Sequence, residues 1–431
     1  MKFDNSLRIY EKAIRVIPMG TSTFSKNPNL FVIGGAPLYI QSAQGCMLHD
    51  VDGNEFIDYS MALGPIILGY SNSEVNKAAK TGIDDGLIFT LSCPEESFLA
   101  EKLIEIIPCA EMVRFSKNGS DVCEGAIRLA RNYTGKLKVI TVGGYHGFHD
   151  WFAVSTPRNK GIPKIMADWI LPHNYNDIDS IENTIAMQSQ EIAALIMEPV
   201  INYEPKPGFL EKIRELTAAR NIVLIYDEMK TGFRLDLGGA QKYFNVIPDL
   251  AVFAKGISNG FPISVLAGKK YLMKQFEDEN CFFSGSYATE KASINAALKT
   301  LEILQRDNVI DHNWRMGQIL KDGIKRTIVK YTLNGFMDIV GYAPMSHFVF
   351  SDYEDFTANE IKSFIQQECA KRGVLFVGYH HICFAHKMKH IETTLNVYDE
   401  VFSLLQSKIH DKSLMVSIEG KPISGFTIRR D

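Results

Sequence analysis

Two apolar runs in the chain end in groups that can do covalent and acid–base chemistry. The run Leu250–Ala254 is followed by Lys255, and the run Ile222–Tyr226 is followed by Asp227. Burial lowers the pKa of a lysine, and only the neutral amine can attack a carbonyl carbon. A carboxylate on a neighbouring strand can hold a pyridine nitrogen protonated, so that the ring withdraws electrons from a substrate carbon. Together the two residues supply two polar parts of a pyridoxal phosphate site, although either alone is more typical of an ordinary strand end.

A capped turn upstream has the features of a phosphate site. Gly119 and Ser120 lie between an apolar strand and a helix that Asp121 and Glu124 can cap. Glycine lets the backbone approach a ligand closely, and a helix N-terminus offers unpaired N–H groups to a phosphate dianion. Taken alone, the segment is more typical of a common Asn-Gly turn.

A third segment, Gly144-Tyr145-His146-Gly147, follows another apolar strand. The ring of Tyr145 could stack on a planar cofactor, although a packed aromatic is the commoner role for such a residue. His146 and His149 have a spacing suited to a metal ion, but no third ligand is near in sequence. A second histidine group lacks an adjacent carboxylate or thiolate, so we predict no metal site there either: His380, His381, His386 and His390.

The arrangement of helical and apolar segments predicts an α/β fold. From residue 65 to 305, helices alternate with strands that are apolar on both faces, which is typical of a mainly parallel sheet covered on both sides. Ligands bind such sheets beyond the carboxyl ends of the strands, where Asp227 and Lys255 fall. We therefore predict a large domain over 65–305. It is preceded by a helix and a small antiparallel segment over 1–64 and followed by a smaller α+β domain over 306–431.

Bulk properties exclude several classes of partner. The 431 residues carry a formal net charge of −4, which gives no electrostatic basis for binding nucleic acid or an anionic membrane. The chain shows neither a run of about 20 apolar residues nor the apolar stretch of a signal peptide. Its seven cysteines are scattered, odd in number and free of CxxC pairs, as in reduced proteins. We predict a cytoplasmic protein that acts on small molecules.

The order of these segments carries a family resemblance. The motifs are, in sequence, Asn118-Gly119-Ser120-Asp121, Tyr145-His146-Gly147, Glu198-Pro199-Val200, Asp227-Glu228, Thr231-Gly232-Phe233-Arg234 and Ala254-Lys255. This series resembles the class III aminotransferases of pyridoxal-phosphate fold type I, in the branch of glutamate-1-semialdehyde 2,1-aminomutase. The resemblance extends from about Ile17 into the C-terminal domain. It implies a large domain with a mainly parallel, seven-stranded type of sheet and a smaller α+β domain.

The resemblance also implies roles for individual residues. Lys255 would hold pyridoxal 5'-phosphate covalently, and Asp227 would pair with its ring nitrogen. Gly119 and Ser120 would bind the phosphate, and Tyr145 would stack on the ring. Members of the family are homodimers with active sites at the subunit boundary.

Further positions follow from the same resemblance. Ser286 would reach the cofactor phosphate of the partner subunit. His146 is a candidate for contacting the cofactor, and Glu198 is a candidate for contacting the substrate. Lys26 stands where the aminomutase has an arginine for the substrate carboxylate, so planar bidentate recognition is lost. Met229 stands where a valine usually packs on the ring.

The resemblance implies a ping-pong aminotransferase, with glutamate as the expected donor and an aldehyde or ketone as acceptor. The departures from the family pattern resemble a sub-branch associated with bacterial surface carbohydrates, which implies a sugar-related acceptor and a role in carbohydrate biosynthesis. Intramolecular transfer of the aminomutase type is the alternative, and Lys26 argues against it. Racemisation and decarboxylation are further options, because they use the same electron sink of the cofactor. A non-catalytic binding protein of this fold is the third reading, which the presence of the lysine, the aspartate and the phosphate turn opposes.

Overall fold

The chain folds into two compact units. The computed structural model describes residues 1–277 and 281–425. Among the described residues, one unit, here called the sheet unit, comprises Ser73–Ile310; the other, the terminal unit, comprises Met1–Asn72 and residues 311–425. The sequence instead separated 1–64 from 306–431. In the structure these two parts belong to one unit, because a strand near residue 374 pairs with one near residue 57. The periodicity of apolar residues is a local pattern, so it does not predict a pairing between residues so far apart in sequence.

The helices of the sheet unit and the terminal unit are numbered here along the chain. They are α1 Asp4–Val16, α2 Ser73–Asp84, α3 Pro94–Ile106, α4 Gly119–Thr134, α5 Asp150–Ala153, α6 Ile178–Gln188, α7 Phe209–Ala219, α8 Ala240–Tyr243, α9 Lys270–Met273, α10 Lys291–Arg306, α11 Val309–Lys330, α12 Ala358–Ala370 and α13 Met388–His410.

The strands are numbered in the same way. They are β1 Ile40–Gln44, β2 Met47–Asp50, β3 Glu55–Asp58, β4 Met112–Ser116, β5 Lys138–Val142, β6 Ile170–His173, β7 Ile192–Met197, β8 Val223–Asp227, β9 Leu250–Phe253, β10 Ser264–Gly268, β11 Met337–Val340, β12 Met345–Phe350, β13 Val374–Leu375 and β14 Tyr379–His381.

The sheet unit is built on one large sheet. Within the described residues, its seven strands have the order β4-β10-β9-β8-β7-β5-β6, and β10 alone runs antiparallel to its neighbours. Every residue of β7 is buried, because helices cover both faces of the sheet. The predicted α/β class and the mainly parallel seven-stranded sheet are confirmed.

Two neighbouring strands and one helix position the polar groups of the sheet unit. Strand β8 ends in Asp227, which pairs in register with Val252 of the parallel strand β9. Lys255 follows β9 and adopts a positive φ of 49°, a backbone conformation that is strained for a residue with a side chain. Helix α4 starts at Gly119, where the side chains of Asn118 and Asp121 form a reciprocal capping box.

The terminal unit has two small sheets and its own core. Strands β1, β2, β3 and β13 form one sheet and β11, β12 and β14 form another, among the residues described. A capping box of Thr357 and Glu360 starts α12. Within residues 1–277 and 281–425, no helix has both the length and the apolarity needed to cross a membrane.

Candidate active site

A chain of contacts joins the acid at the end of β8 to the amine after β9. Nδ1 of His146 lies 3.0 Å from Oδ2 of Asp227, and Nε2 of the same ring lies 3.0 Å from Nζ of Lys255. The backbone N–H of His146 also donates to the Asp227 carboxylate. One imidazole ring and two hydrogen bonds therefore separate the carboxylate from the amine. The acid and the amine are close enough to engage a single heteroaromatic ring.

The environment of Lys255 favours its neutral form. The pKa of the amine is lowered from 10.5 to about 8, mainly by burial and next by the positive charge of Lys230. The carboxylates of Glu198 and Asp227 oppose this shift. About a tenth of the amine is neutral at pH 7 when the pKa is near 8, which makes Lys255 a usable nucleophile and base.

His146 is held as a neutral imidazole. Burial lowers the pKa of the ring from 6.5, and the positive charge of Lys255 acts in the same direction, although Asp227 opposes both. A neutral imidazole has one donor and one acceptor nitrogen. With Nδ1 donating to the Asp227 carboxylate, Nε2 is an acceptor for a proton on the Lys255 amine.

Lys230 is a charged neighbour that the sequence motifs did not point to. Its Nζ lies 2.6 Å from Oε2 of Glu198, whose side chain is only 1% exposed. The same carboxylate oxygen lies 3.9 Å from Nδ1 of His146. Lys230 therefore compensates a buried charge beside the His146 ring. Its place three residues after Asp227, at the end of a buried strand, was the one signal available in the sequence.

The start of α4 lies against the loop after β8. A Cβ added to Gly119 would stand 2.8 Å from Sδ of Met229, and the N–H of Met229 donates to Oδ1 of Asp227 at 3.0 Å. The hydroxyl of Ser120 accepts hydrogen bonds from the N–H groups of Phe148 and His149. Because both lone pairs of that oxygen are used, its own hydrogen can donate to a further acceptor. The structure thus brings together the helix N-terminus, a hydroxyl donor and the Asp227 carboxylate.

The structure also places three other predicted residues. Tyr145 is 2% exposed and packs in the core of the sheet unit, with its ring edge-on to Phe152 at 5.4 Å between centroids. The ring next to both the acid and the amine is that of His146. Ser286 is exposed in the segment before α10, and Lys26 is an exposed residue of the terminal unit. The roles predicted for these three residues remain predictions.

The histidine group near residue 380 has protein partners. Nε2 of His380 lies 2.9 Å from the hydroxyl of Tyr398, and its Nδ1 lies 3.2 Å from Oγ of Ser346. Nε2 of His386 lies 3.0 Å from the backbone carbonyl oxygen of Asp58. Burial lowers the pKa of both rings to about 3, so that both are neutral and serve the packing of the terminal unit.

The chain as a whole is similar to known enzymes. The family model for class-III aminotransferases matches residues 34–407. The chain is 34% identical to 3-aminobutyryl-CoA aminotransferase from Cloacimonas acidaminovorans, over 93% of this chain and 97% of that protein. It is 33% identical to glutamate-1-semialdehyde 2,1-aminomutase from Methanococcus maripaludis, over 93% and 98% of the two chains. An omega-transaminase structure from Sphaerobacter thermophilus superposes with a TM-score of 0.84 at 25% identity, covering 93% of this chain and 98% of that one.

Proposed function

Because the chain belongs to the class III aminotransferases, which use pyridoxal 5'-phosphate, we propose that it transfers an amino group from an amino-acid donor to an aldehyde or ketone. The observation that carries the proposal is the contact of a desolvated amine, Lys255, with a ring that also contacts a buried carboxylate, Asp227. Glutamate is the expected donor.

The residues of the sheet unit fit this cofactor. Lys255 offers an amine with a lowered pKa for covalent attachment, and Asp227 offers a carboxylate for a protonated ring nitrogen. Gly119 and Ser120 offer N–H groups and a hydroxyl at a helix N-terminus, which suits the phosphate. When bound, the cofactor supplies an electron sink for the substrate carbon. Its attachment to Lys255 and the phosphate contacts are proposals.

The protein groups then have defined tasks. Nζ of Lys255 would take a proton from the carbon that bears the donor's amino group and hold it for return, which would be general acid–base catalysis at one atom. Nε2 of His146, 3.0 Å away, orients that amine. Glu198 and Lys230 form an ion pair beside the His146 ring, in which each charge compensates the other.

Three further features belong to the proposal. Ser286 reaches the partner's cofactor phosphate in a homodimer, and its exposure is what that role requires. The acceptor is sugar-related, in line with the departures at Lys26 and Met229. The enzyme acts in the cytoplasm, in line with cysteines that are all free thiols in the described residues.

Two relatives widen the range of acceptors. One is named for 3-aminobutyryl-CoA, and exchange of that amino group for oxygen gives a 3-oxoacyl thioester, which is a ketone. Another is named as an aminomutase, which favours intramolecular transfer as the second candidate function. Lysine at position 26 in place of arginine is the feature against it.

Covalent attachment is tested by borohydride reduction of the holoenzyme followed by peptide mass spectrometry. We expect the cofactor mass on the peptide containing Lys255, and its loss in Lys255→Ala. Lys206→Ala, at an exposed lysine of the same unit, should leave the labelled peptide unchanged. Label on a different lysine would contradict the assignment.

Transfer and mutase chemistry are separated by one half-reaction. Holoenzyme mixed with glutamate alone should release one equivalent of 2-oxoglutarate per active site and leave the cofactor in its amine form. Candidate acceptors, including aldehydo sugars and a 3-oxoacyl thioester, are then added. An acceptor that takes the amino group should restore the absorption spectrum that the holoenzyme had before glutamate was added. If glutamate and other amino acids release no keto acid while glutamate-1-semialdehyde is converted, intramolecular transfer replaces this proposal.

A further inference from the structure

A loop of the sheet unit is held on its N-terminal side by two arginines. It comprises residues 284–289, just before α10, and most of it is exposed; we call it the α10 loop. Nη2 of Arg114, from β4, donates to the carbonyl oxygen of Phe283 at 2.7 Å, and Nη1 of Arg128, from α4, donates to that of Phe282 at 2.6 Å. The loop is therefore anchored to the strand and the helix on either side of the proposed phosphate site.

An ion pair holds the other side of the α10 loop. Nζ of Lys117 lies 2.8 Å from Oε1 of Glu290, and the two side chains are only 17% and 13% exposed. Glu290 caps α10 by accepting the N–H of Ser293. Lys117 directly precedes the capping box of α4, and its amine also donates to the carbonyl oxygen of Pro262 at 2.9 Å. One contact therefore joins the starts of two helices, α4 and α10.

Burial works against both charges of this ion pair. It lowers the pKa of Lys117, and the contact with Glu290 opposes that shift. Burial also acts to raise the pKa of Glu290, but hydrogen bonds from Lys117 and Ser293 outweigh it and leave the pKa of the carboxyl below its ordinary value. Loss of either partner leaves an uncompensated charge, which lowers its free energy by moving toward water. The two helix starts would then no longer be held together.

We propose that Lys117 and Glu290 are positioning residues for the cofactor phosphate. The inference rests on the proposed function, in which Gly119 and Ser120 bind the phosphate of their own subunit and Ser286 reaches that of the partner. Neither charge of the ion pair contacts the phosphate. The pair acts by holding the start of α4 and the α10 loop in one arrangement, so that both sets of phosphate donors depend on it.

Removal of each charge in turn separates positioning from direct attraction. If Lys117 attracted the phosphate as a free cation, Lys117→Met would weaken phosphate binding, but Glu290→Gln would strengthen it by removing a competing carboxylate. Positioning requires that both changes weaken it. Because the two residues act through one contact, Lys117→Met/Glu290→Gln should lose no more affinity than the larger of the two single losses.

Titration of the full-length chain, freed of cofactor, tests this with pyridoxal 5'-phosphate and with pyridoxal, which lacks the phosphate. We expect each single variant to bind pyridoxal 5'-phosphate about tenfold more weakly or worse, the effect of losing a charge-assisted hydrogen bond, and to bind pyridoxal within about threefold of the wild type. In Glu290→Gln the amide oxygen can still accept the N–H of Ser293, so α10 keeps its cap. Arg214→Met is the matched control, because it breaks a similarly buried ion pair with Asp249 at the other end of β9, and it should leave both affinities unchanged.

Three results would overturn the inference while leaving the proposed function in place. They are tighter binding of pyridoxal 5'-phosphate by Glu290→Gln, unchanged affinity in both single variants, and equal weakening of pyridoxal and pyridoxal 5'-phosphate, which indicates a general loss of structure. Failure of the proposed function gives a different result, because the wild-type chain would then fail to bind pyridoxal 5'-phosphate or would carry it on a lysine other than Lys255. The inference would fall with it.

Discussion

The amine of Lys255 should titrate near pH 8 in the cofactor-free protein, and varying the pH should show this through its reactivity. At pH 7 a pKa of about 8 leaves about 9% of the amine neutral, whereas an ordinary lysine with a pKa of 10.5 has about 0.03%. The neutral fraction is therefore about 300-fold greater than in an ordinary lysine. Only the neutral amine is acylated. At pH 7 the acylation rate constant of Lys255, expressed as a fraction of its value when fully deprotonated, should therefore exceed that of an ordinary lysine by the same factor.

Competitive labelling with trace acetic anhydride measures this value residue by residue. The peptide containing Lys255 is quantified by mass spectrometry against Nα-acetyl-lysine in the same tube, between pH 6 and pH 11. Lys230→Met should move the midpoint of Lys255 upward, because it removes a positive charge that disfavours the ammonium form. If the labelling of Lys255 follows the free amino acid, or if Lys230→Met moves the midpoint downward, the argument from desolvation and charge is refuted.

Three further predictions concern the same unit. Asp227→Asn should lower the transamination kcat by at least about a hundredfold, because a neutral amide cannot stabilise a protonated ring nitrogen; single-turnover spectra measure this, and a loss below tenfold would contradict it. Lys255→Met should stabilise the cofactor-free protein by up to about 3 kcal/mol at pH 7, since the folded state holds this amine at a pKa of about 8 rather than 10.5. Between pH 8 and 10.5 the unfolded chain keeps a proton on this lysine that the folded chain has lost. The free energy of unfolding of the wild type should therefore rise over this pH range, and its difference from Lys255→Met should disappear, as measured by denaturant unfolding. Gly239→Ala should destabilise the fold by about 2 kcal/mol or more, because the new Cβ would lie 2.7 Å from both carboxylate oxygens of Glu228; Gly208→Ala, which also has a positive φ but open space around it, should cost less in the same unfolding assay.

The sequence was sufficient where local chemistry and periodicity agree. Segments that are apolar on both faces predicted the parallel strands. The polar residues Asp227 and Lys255 come at the ends of two such segments, and the corresponding strands β8 and β9 are adjacent in the sheet. The capping pattern predicted the helix after Lys117, although the structure starts α4 at Gly119 and not at Asp121. This small difference arises because Asn118, rather than the acid, occupies the cap position.

Long-range pairing was beyond the reach of sequence reasoning. The ion pair of Lys230 with Glu198 joins residues on different loops, and neither hydropathy nor spacing marks it. The position of the His146 ring between the acid and the amine was equally hard to predict, because it depends on contacts between residues about 80 and 110 positions apart.

The pairing of Val374 with Ile57 has a consequence for synthesis on the ribosome. In the part of the chain that the structure describes, the sheet unit falls within the single range Ser73–Ile310, so it can fold while later residues are still being added. The terminal unit must wait, with its first 72 residues already made, until the strand that completes its sheet emerges about 300 residues later. Its early antiparallel strands therefore spend tens of seconds with an open edge at ordinary elongation rates of roughly 5–20 residues per second, and an open edge can pair with another chain during that time.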